Sequence, residues 1–340
     1  MKSALILLWL AACLWPATDP RAAAEANAGL ALARDSKYEQ AIQHYQAALK
    51  LDPGMAGLYL NLGLAYFKLN RLADAIPSFE QAVKFDLASF QARVLLGMSY
   101  YGTRRFADAA TQFTQASQQP ENLELRFKLA QSYLWSGQYD AAKKEFRVLL
   151  ERNPDSAPVH MLLGEVLDAA NQEEQATSEL EAAVKAGPHE PEAHFGLGYL
   201  YWKQKRYEEA RRAFEAELQD QPRHTQALTY LADAEMHSEN EKGAEEHLRQ
   251  ALKQDGDLRL AHLDLGILLA GRKENDEAAK HFREAIRLDP SKPDAHYRLG
   301  RLWLALGRQQ EAEDEFAQVK QLATQERPGP LVNIPGREAQ

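Results

Sequence analysis

The chain has 340 residues, of which 45% are apolar and 26% are charged, and its formal net charge is -9. This composition excludes a disordered or collagen-like polymer and predicts an ordered, soluble protein. Because an acidic chain repels phosphate backbones, the charge argues against nucleic acid as the main partner.

The first 24 residues have the pattern of an export signal. Lys2 precedes an apolar run from Ala4 to Trp15, and the small residues Ala22 and Ala24 suit cleavage by signal peptidase. The apolar run is too short to span a bilayer of about 30 Å at about 1.5 Å per residue. We therefore expect a mature chain that begins at Glu25 and is exported to the periplasm or the extracellular space.

A second interpretation of this segment depends on its cysteine. Residues 10–13, LAAC, resemble the lipobox of bacterial lipoproteins, in which the cysteine becomes the lipid-bearing first residue. Only under this interpretation, as an outer-membrane lipoprotein, is the membrane a partner. Because Cys13 is the only cysteine, ordinary cleavage would leave none, which excludes intrachain disulfides and thiolate metal sites.

An alanine recurs through the rest of the chain every 34 residues, with one step of 33. A small residue stands twelve positions before each alanine, and a large apolar residue stands four after it. Apolar residues at these helical spacings predict two amphipathic helices per repeat, joined by a polar turn. The alanines are Ala41, Ala75, Ala109, Ala142, Ala176, Ala210, Ala244, Ala278 and Ala312, and the small residues are Gly29, Gly63, Gly97, Ala130, Gly164, Gly198, Ala232, Gly266 and Gly300.

One such hairpin is too small to bury its apolar surface alone, so neighbouring repeats are expected to stack. The predicted repeats are residues 22–55, 56–89, 90–122, 123–156, 157–190, 191–224, 225–258, 259–292 and 293–326, and a tail rich in Pro and Gly follows at 327–340. The tail is interpreted either as a mobile segment or as a cover for the last repeat through Leu331, Val332 and Ile334. In the second case, uncovering the terminal repeat would promote self-association.

The order of Leu-Gly, Tyr, Ala, Phe and Pro within each repeat resembles the tetratricopeptide repeat (TPR) family. The resemblance implies an all-α fold, a right-handed superhelical solenoid whose first helices line a concave groove. It also implies a non-enzymatic scaffold that binds a protein or peptide, with no cofactor.

The resemblance further implies that ligand-facing positions lie three residues before, one after and four after each small residue. Part of this stripe is expected to be ordinary packing between repeats, and the apolar remainder is expected to form a binding patch. Tyr101, Phe195, Tyr199 and Trp202 are the expected anchors. The predicted groove residues are Leu64, Phe67, Met98, Tyr101, Phe127, Gln131, Glu165, Asp168, Phe195, Tyr199, Trp202, Asp233 and Met236.

The sequence predicts no catalytic residues and no metal site. Four histidines, His160, His194, His262 and His296, share one repeat position. Stacked copies about 8 to 10 Å apart are too distant to share a metal ion, so we interpret them as packing residues with a polar edge.

We expect an exported scaffold that captures a peptide or subunit and assists the assembly of an envelope or secreted complex. One alternative is a lipid-anchored, pilotin-like outer-membrane assembly factor. Another is a carbohydrate-binding or enzymatic role that uses the acids Glu165, Asp168 and Asp233.

The seventh repeat departs most from the common pattern. It has Ala232 for glycine, Glu235 where other copies carry Tyr, Leu or Trp, and Gly256 in the place of proline. We interpret it either as a looser copy held by its neighbours or as a hinge.

Overall fold

The computed structural model describes residues 19–86, 89–116 and 122–325. Within these ranges the chain forms eighteen α-helices and no strand. In chain order they are α1 (Pro20–Arg34), α2 (Tyr38–Leu51), α3 (Ala56–Lys68), α4 (Leu72–Phe85), α5 (Phe90–Gly102), α6 (Phe106–Ala116), α7 (Leu123–Trp135), α8 (Tyr139–Arg152), α9 (Ala157–Ala169), α10 (Glu173–Ala186), α11 (Ala193–Lys203), α12 (Tyr207–Asp220), α13 (Thr225–His237), α14 (Glu241–Gln254), α15 (Arg259–Gly271), α16 (Asn275–Leu288), α17 (Pro293–Ala305) and α18 (Gln309–Gln325).

Consecutive helices pack as hairpins, from α1 with α2 to α17 with α18. The turn inside a hairpin contains a residue with positive φ, for example Asn70 at 56° and Gly307 at 73°. A left-handed residue at this point ends the first helix and lets the chain reverse within a few residues. The all-α fold of packed helix pairs that the repeat spacing predicts is confirmed.

The two helices of a hairpin cross where the small residue faces an aromatic ring on the second helix. A Cβ atom added at Gly198 would lie 2.7 Å from the Phe214 ring, and one added at Gly63 would lie 2.6 Å from the Phe79 ring. Both rings are fully buried. Glycine therefore permits the close approach, because a larger side chain would overpack the crossing.

The chain divides into two compact units, Met1–Arg152 and Asn153–Gln340. The first unit contains α1 to α8 and the second contains α9 to α18. Inside each unit, a second helix packs against the first helix of the next repeat. Successive first helices, such as α3 with α5 and α11 with α13, also touch, whereas successive second helices of the described residues make no comparable contact. First helices therefore lie on the tighter side of each unit.

Helix α1 begins before the predicted export boundary. The Asp19 side chain caps it by accepting the Arg21 backbone N–H at 2.8 Å, and Ala22 is fully buried. The boundary predicted between residues 24 and 25 thus falls inside a helix. Residues 1–18, which include Cys13, and residues 326–340, which include the predicted tail, lie outside the described residues. In the part of the chain that is described, no helix is both long and apolar enough to cross a membrane.

Candidate functional site

Most of the predicted groove residues are half-buried side chains on first helices. We call those of the first unit its inner face: Phe67, Met98, Tyr101, Phe127 and Gln131. The inner face of the second unit consists of Glu165, Asp168, Tyr199, Trp202, Asp233 and Met236.

Two predicted groove residues belong to the core instead. Leu64 is 3% exposed and Phe195 is 1% exposed, so neither side chain can be reached by a partner. The Phe195 ring packs between its own repeat and the next, with centroids 5.9 Å from Phe214, 4.7 Å from His224 and 6.1 Å from Tyr230. The prediction that Phe195 anchors a partner is therefore corrected.

In the first unit, Tyr101, Phe106, Trp135, Lys128 and Gln131 form what we call the unit-1 cluster. The Tyr101 ring lies 5.6 Å from Phe106 and 5.5 Å from Trp135. Its hydroxyl donates to Gln131 Oε1 at 2.9 Å, and Lys128 Nζ lies 4.4 Å from the ring centre. Burial raises the pKa of Tyr101 and lowers the pKa of Lys128. The Lys128 ammonium is the only charge within the cluster. It lies over the face of the Tyr101 ring, which attracts a cation.

In the second unit, Tyr199, Trp202, Tyr230 and Asp233 form what we call the unit-2 cluster. Tyr199 stacks on Trp202 at 5.9 Å, and the Tyr230 ring lies 5.5 and 5.0 Å from these two. The Trp202 indole N–H donates to the Asp233 carboxylate. Burial raises the pKa of Tyr199 and of Tyr230, so both phenols are neutral. The charge of this cluster is the carboxylate of Asp233.

Two acids of the second inner face, Asp168 and Asp233, each accept a hydrogen bond from another side chain. Asp168 accepts from Lys203 Nζ at 2.7 Å, and the same ammonium lies 3.0 Å from Glu173. Asp233 binds Trp202, as described above, and lies 3.6 Å from His237. Asp168 and Asp233 therefore bind different groups, and these contacts give no support to a paired-carboxylate active site.

Of the four histidines predicted at one repeat position, His160, His262 and His296 connect the two helices of their own repeats, whereas His194 contacts the loop before its helix. Nδ1 of His160 and of His296 lies 2.7 and 2.6 Å from a glutamate nineteen residues later. His262 Nδ1 faces His281 Nδ1 at 2.8 Å, and His194 Nε2 lies 3.1 Å from a backbone carbonyl. The spacing of nineteen is visible in the sequence and would have predicted these pairs.

One group in the described part of the chain could be taken for a metal site: Glu192, Glu217 and His224, whose ligand atoms lie within 4.8 Å of one another. His224 Nδ1 accepts the Ala227 backbone N–H at 3.1 Å, which leaves its proton on Nε2, facing Glu192 at 3.1 Å. A metal would require that nitrogen unprotonated. Buried Glu217 accepts the Phe195 backbone N–H at 3.0 Å. The group therefore satisfies the starts of α11 and α13 without an ion.

Family comparisons agree with this architecture. A model of the tetratricopeptide repeat matches residues 60–122, 166–222, 201–258 and 263–327, and related models match residues 29–70 and 100–166. The chain belongs to the tetratricopeptide repeat family. For a TPR protein the general class of function is a scaffold for protein–protein interaction.

Two solved structures show the same fold. The C-terminal part of a TPR repeat-containing protein from Cytophaga hutchinsonii is 15% identical, with a TM-score of 0.56, covering 70% of this chain and 98% of that one. PilF from Pseudomonas aeruginosa is 21% identical, with a TM-score of 0.53, covering 60% of this chain and 93% of that one. At such identities the likeness concerns the fold alone. A comparison with curated protein sequences gives no match.

Proposed function

We propose that this TPR scaffold binds a peptide or protein subunit on the inner faces of its units. The observation that carries the proposal is the partial exposure of Phe67, Met98, Tyr199, Trp202 and Met236, which are large apolar side chains on first helices. The fully buried core is built from other positions of the repeat, and Phe67, Met98 and Met236 pack against its edge while staying partly accessible. Apolar side chains left accessible on an ordered surface are typical of protein-binding sites.

The aromatic side chains on these faces are held in place before any partner arrives. Tyr101 and Trp202 each donate a hydrogen bond to the next repeat, and each contacts other rings. A side chain that is already ordered loses little rotamer entropy on binding. The two clusters are therefore suited to act as anchors at the centre of an interface.

A dye attached to cysteine tests whether the inner faces bind. In a Cys13→Ser background, Met98→Cys and Met236→Cys place an environment-sensitive dye on the two faces. Phe85→Cys is the matched control, because this aromatic residue is 49% exposed but lies at the end of a second helix. We expect peptides selected on the full chain from a random displayed library to shift the emission at residue 98 or 236 and not at residue 85.

Two results would count against the inner faces as the binding surface. The first is a library that yields no peptide enriched on the full chain. The second is a set of enriched peptides that change the dye at residue 85 while leaving residues 98 and 236 unaffected.

We further propose that the chain acts outside the cytoplasm, in the assembly of an envelope or secreted complex. Support comes from Lys2 and the apolar run that follows it. The lipid-anchored alternative, processed at Cys13, gains support from one observation: a start at Cys13 would keep all of α1, whereas a start at Glu25 would remove residues 20–24 from it. Mass spectrometry of the mature N-terminus is expected to find Glu25 or lipidated Cys13, and an unprocessed Met1 would contradict export.

A further inference from the structure

A groove in the second unit is lined by cations but by no acid. It has a volume of about 540 Å³ and lies between α15, α16 and α17, within the size range of ligand-binding clefts. Arg298 and Arg301 lie three residues apart on α17, and Lys273 lies in the turn before α16. Among the described residues that line the groove there is no carboxylate.

These three cations lack the ion pairs that other basic residues of the unit form. Arg272, Arg287 and Arg308 are each paired with a glutamate. Arg301 instead meets only a phenol, the Tyr297 hydroxyl at 3.3 Å, and no ion pair to a described residue involves Arg298 or Lys273. The groove is thus a site of uncompensated positive charge on a chain whose net charge is -9.

The acid that influences Arg298 does not neutralise it. Asp264, on α15, is 3% exposed, and its Oδ2 has no hydrogen-bond partner among the described residues. Burial raises the pKa of Asp264 well above its usual range, and the carboxylates of Asp233 and Asp294 raise it further. No ion pair or hydrogen bond joins Asp264 to Arg298 in the described part of the chain, so the guanidinium keeps its donors for a ligand.

The rest of the groove is apolar. Ile267, Leu302 and Leu306 are part of its lining, and Leu306 is among the few large apolar side chains of the described residues that are exposed. Leu304 and Tyr297, also exposed, lie on the same helix α17. A ligand for this groove therefore needs both negative charge and apolar surface.

We propose that this groove binds an acidic segment of a partner protein, with carboxylates on Arg298 and Arg301 and an apolar side chain against Ile267, Leu302 and Leu306. The inference rests on the proposed function and names the chemistry of the partner. Arg298 and Arg301 are separated by about 4.5 Å along the helix, at about 1.5 Å per residue, and Lys273 lies on another element. One terminal carboxylate cannot satisfy all three cations, whereas several acidic side chains can. Guanidinium groups also bind carboxylates in a directed, bidentate geometry.

The test uses the full chain and the peptides that a random displayed library yields on it. We expect one class of enriched peptides to contain at least two acidic residues beside a Leu, Ile or aromatic residue. Arg298→Glu with Arg301→Glu should weaken their binding by tenfold or more, and Arg298→Gln with Arg301→Gln by less, because repulsion is absent. Raised salt should also weaken binding, because the contacts are partly solvated ion pairs.

Arg147→Glu with Arg212→Glu is the matched control. Both arginines are exposed on second helices, and their reversal changes the net charge of the chain by the same amount. The control should bind the acidic peptides as the unaltered chain does. Circular dichroism melts of all three variants check that each one is folded.

The outcomes separate this inference from the function on which it rests. If no peptide is enriched, the binding function itself fails. A different outcome is a set of enriched peptides that shift the dye at residue 98 or 236, but are free of acids or bind both arginine variants as tightly as the unaltered chain. In that case only the acidic groove is overturned. A groove already covered by residues 326–340 of the same chain, or by a second copy, would also yield no acid-dependent peptides and would overturn it.

Discussion

The unit-1 and unit-2 clusters are built at the same repeat positions. In each, an aromatic residue four after the small residue donates a hydrogen bond to the residue one after the next small residue. The donor and acceptor are Tyr101 and Gln131 in the first unit, and Trp202 and Asp233 in the second. The hydrogen bond between neighbouring repeats therefore depends on repeat position and not on residue type, because different donors and acceptors form it at the same two positions.

The charge that the clusters present follows instead from the choice of residue. Two positions before the next small residue stands Lys128 in the first unit and Tyr230 in the second. The first cluster thus holds an ammonium beside an amide, and the second holds a carboxylate beside a phenol. The comparison teaches that one backbone arrangement can present opposite charges, so a partner that suits one face is not expected to suit the other.

The largest expected difference between the clusters concerns Tyr230 and Lys128. The buried Tyr230 ring contacts four other aromatic rings, so Tyr230→Ala should cost about 3–5 kcal/mol in the free energy of unfolding. Lys128→Ala removes a cation above one ring and should cost about 1 kcal/mol. Hydrogen exchange measures both, as lost amide protection in α13 and α7.

Equal losses of amide protection in Tyr230→Ala and Lys128→Ala would contradict this difference between the clusters. They would mean that Lys128 contributes to the core of its unit as much as a buried aromatic ring does. Tyr230→Phe is the conservative control and should retain most of the protection, because the ring contacts remain.

A smaller difference is expected at the hydrogen-bond acceptors. Asp233→Ala leaves the Trp202 indole N–H without its acceptor and should cost about 1–3 kcal/mol, while Asp233→Asn should cost less because an amide oxygen still accepts. Gln131→Ala should cost about 1 kcal/mol through the Tyr101 hydroxyl. Thermal melts of the full chain compare the three variants.

If Asp233→Asn proves as costly as Asp233→Ala, the carboxylate charge, and not the hydrogen bond, holds Trp202. That result would sharpen the contrast with the first unit, where an uncharged amide takes the same place.

Much of this fold could be predicted from the spacing of residues alone. The crossings at Gly63 and Gly198, and the half-buried state of Met98, Tyr199 and Trp202, follow from a strict repeat whose helical period fixes which face a residue occupies. Spacing alone does not predict whether such a residue is covered by the neighbouring repeat, because this depends on how the repeats stack. For this reason Leu64 is buried although Met98 and Tyr199 at the same repeat position are partly accessible. Phe195, in contrast, shares its burial with Met161 and Leu263 at its own position.

Buried acids were the other feature that spacing did not predict. Glu217 stands seven after Ala210, where the corresponding places in most other copies hold an alanine, so an acid there was a visible signal. Its role as acceptor for the start of α11 depends on the path of the chain between repeats. The same holds for Asp264, whose unpartnered oxygen is evident only in three dimensions.

The seventh repeat shows how an irregular copy can be consistent within itself. Glu235, 4% exposed, does not leave a gap: it lies 2.8 Å from His247 Nδ1 and accepts from Asn240 Nδ2 at 2.9 Å. A Cβ atom at Gly243 would lie 2.7 Å from this carboxylate, so the glycine gives it room. Anyone who regularises this copy toward a consensus must therefore replace all four residues together, since tyrosine at 235 alone would leave His247 and Asn240 without the carboxylate that they contact.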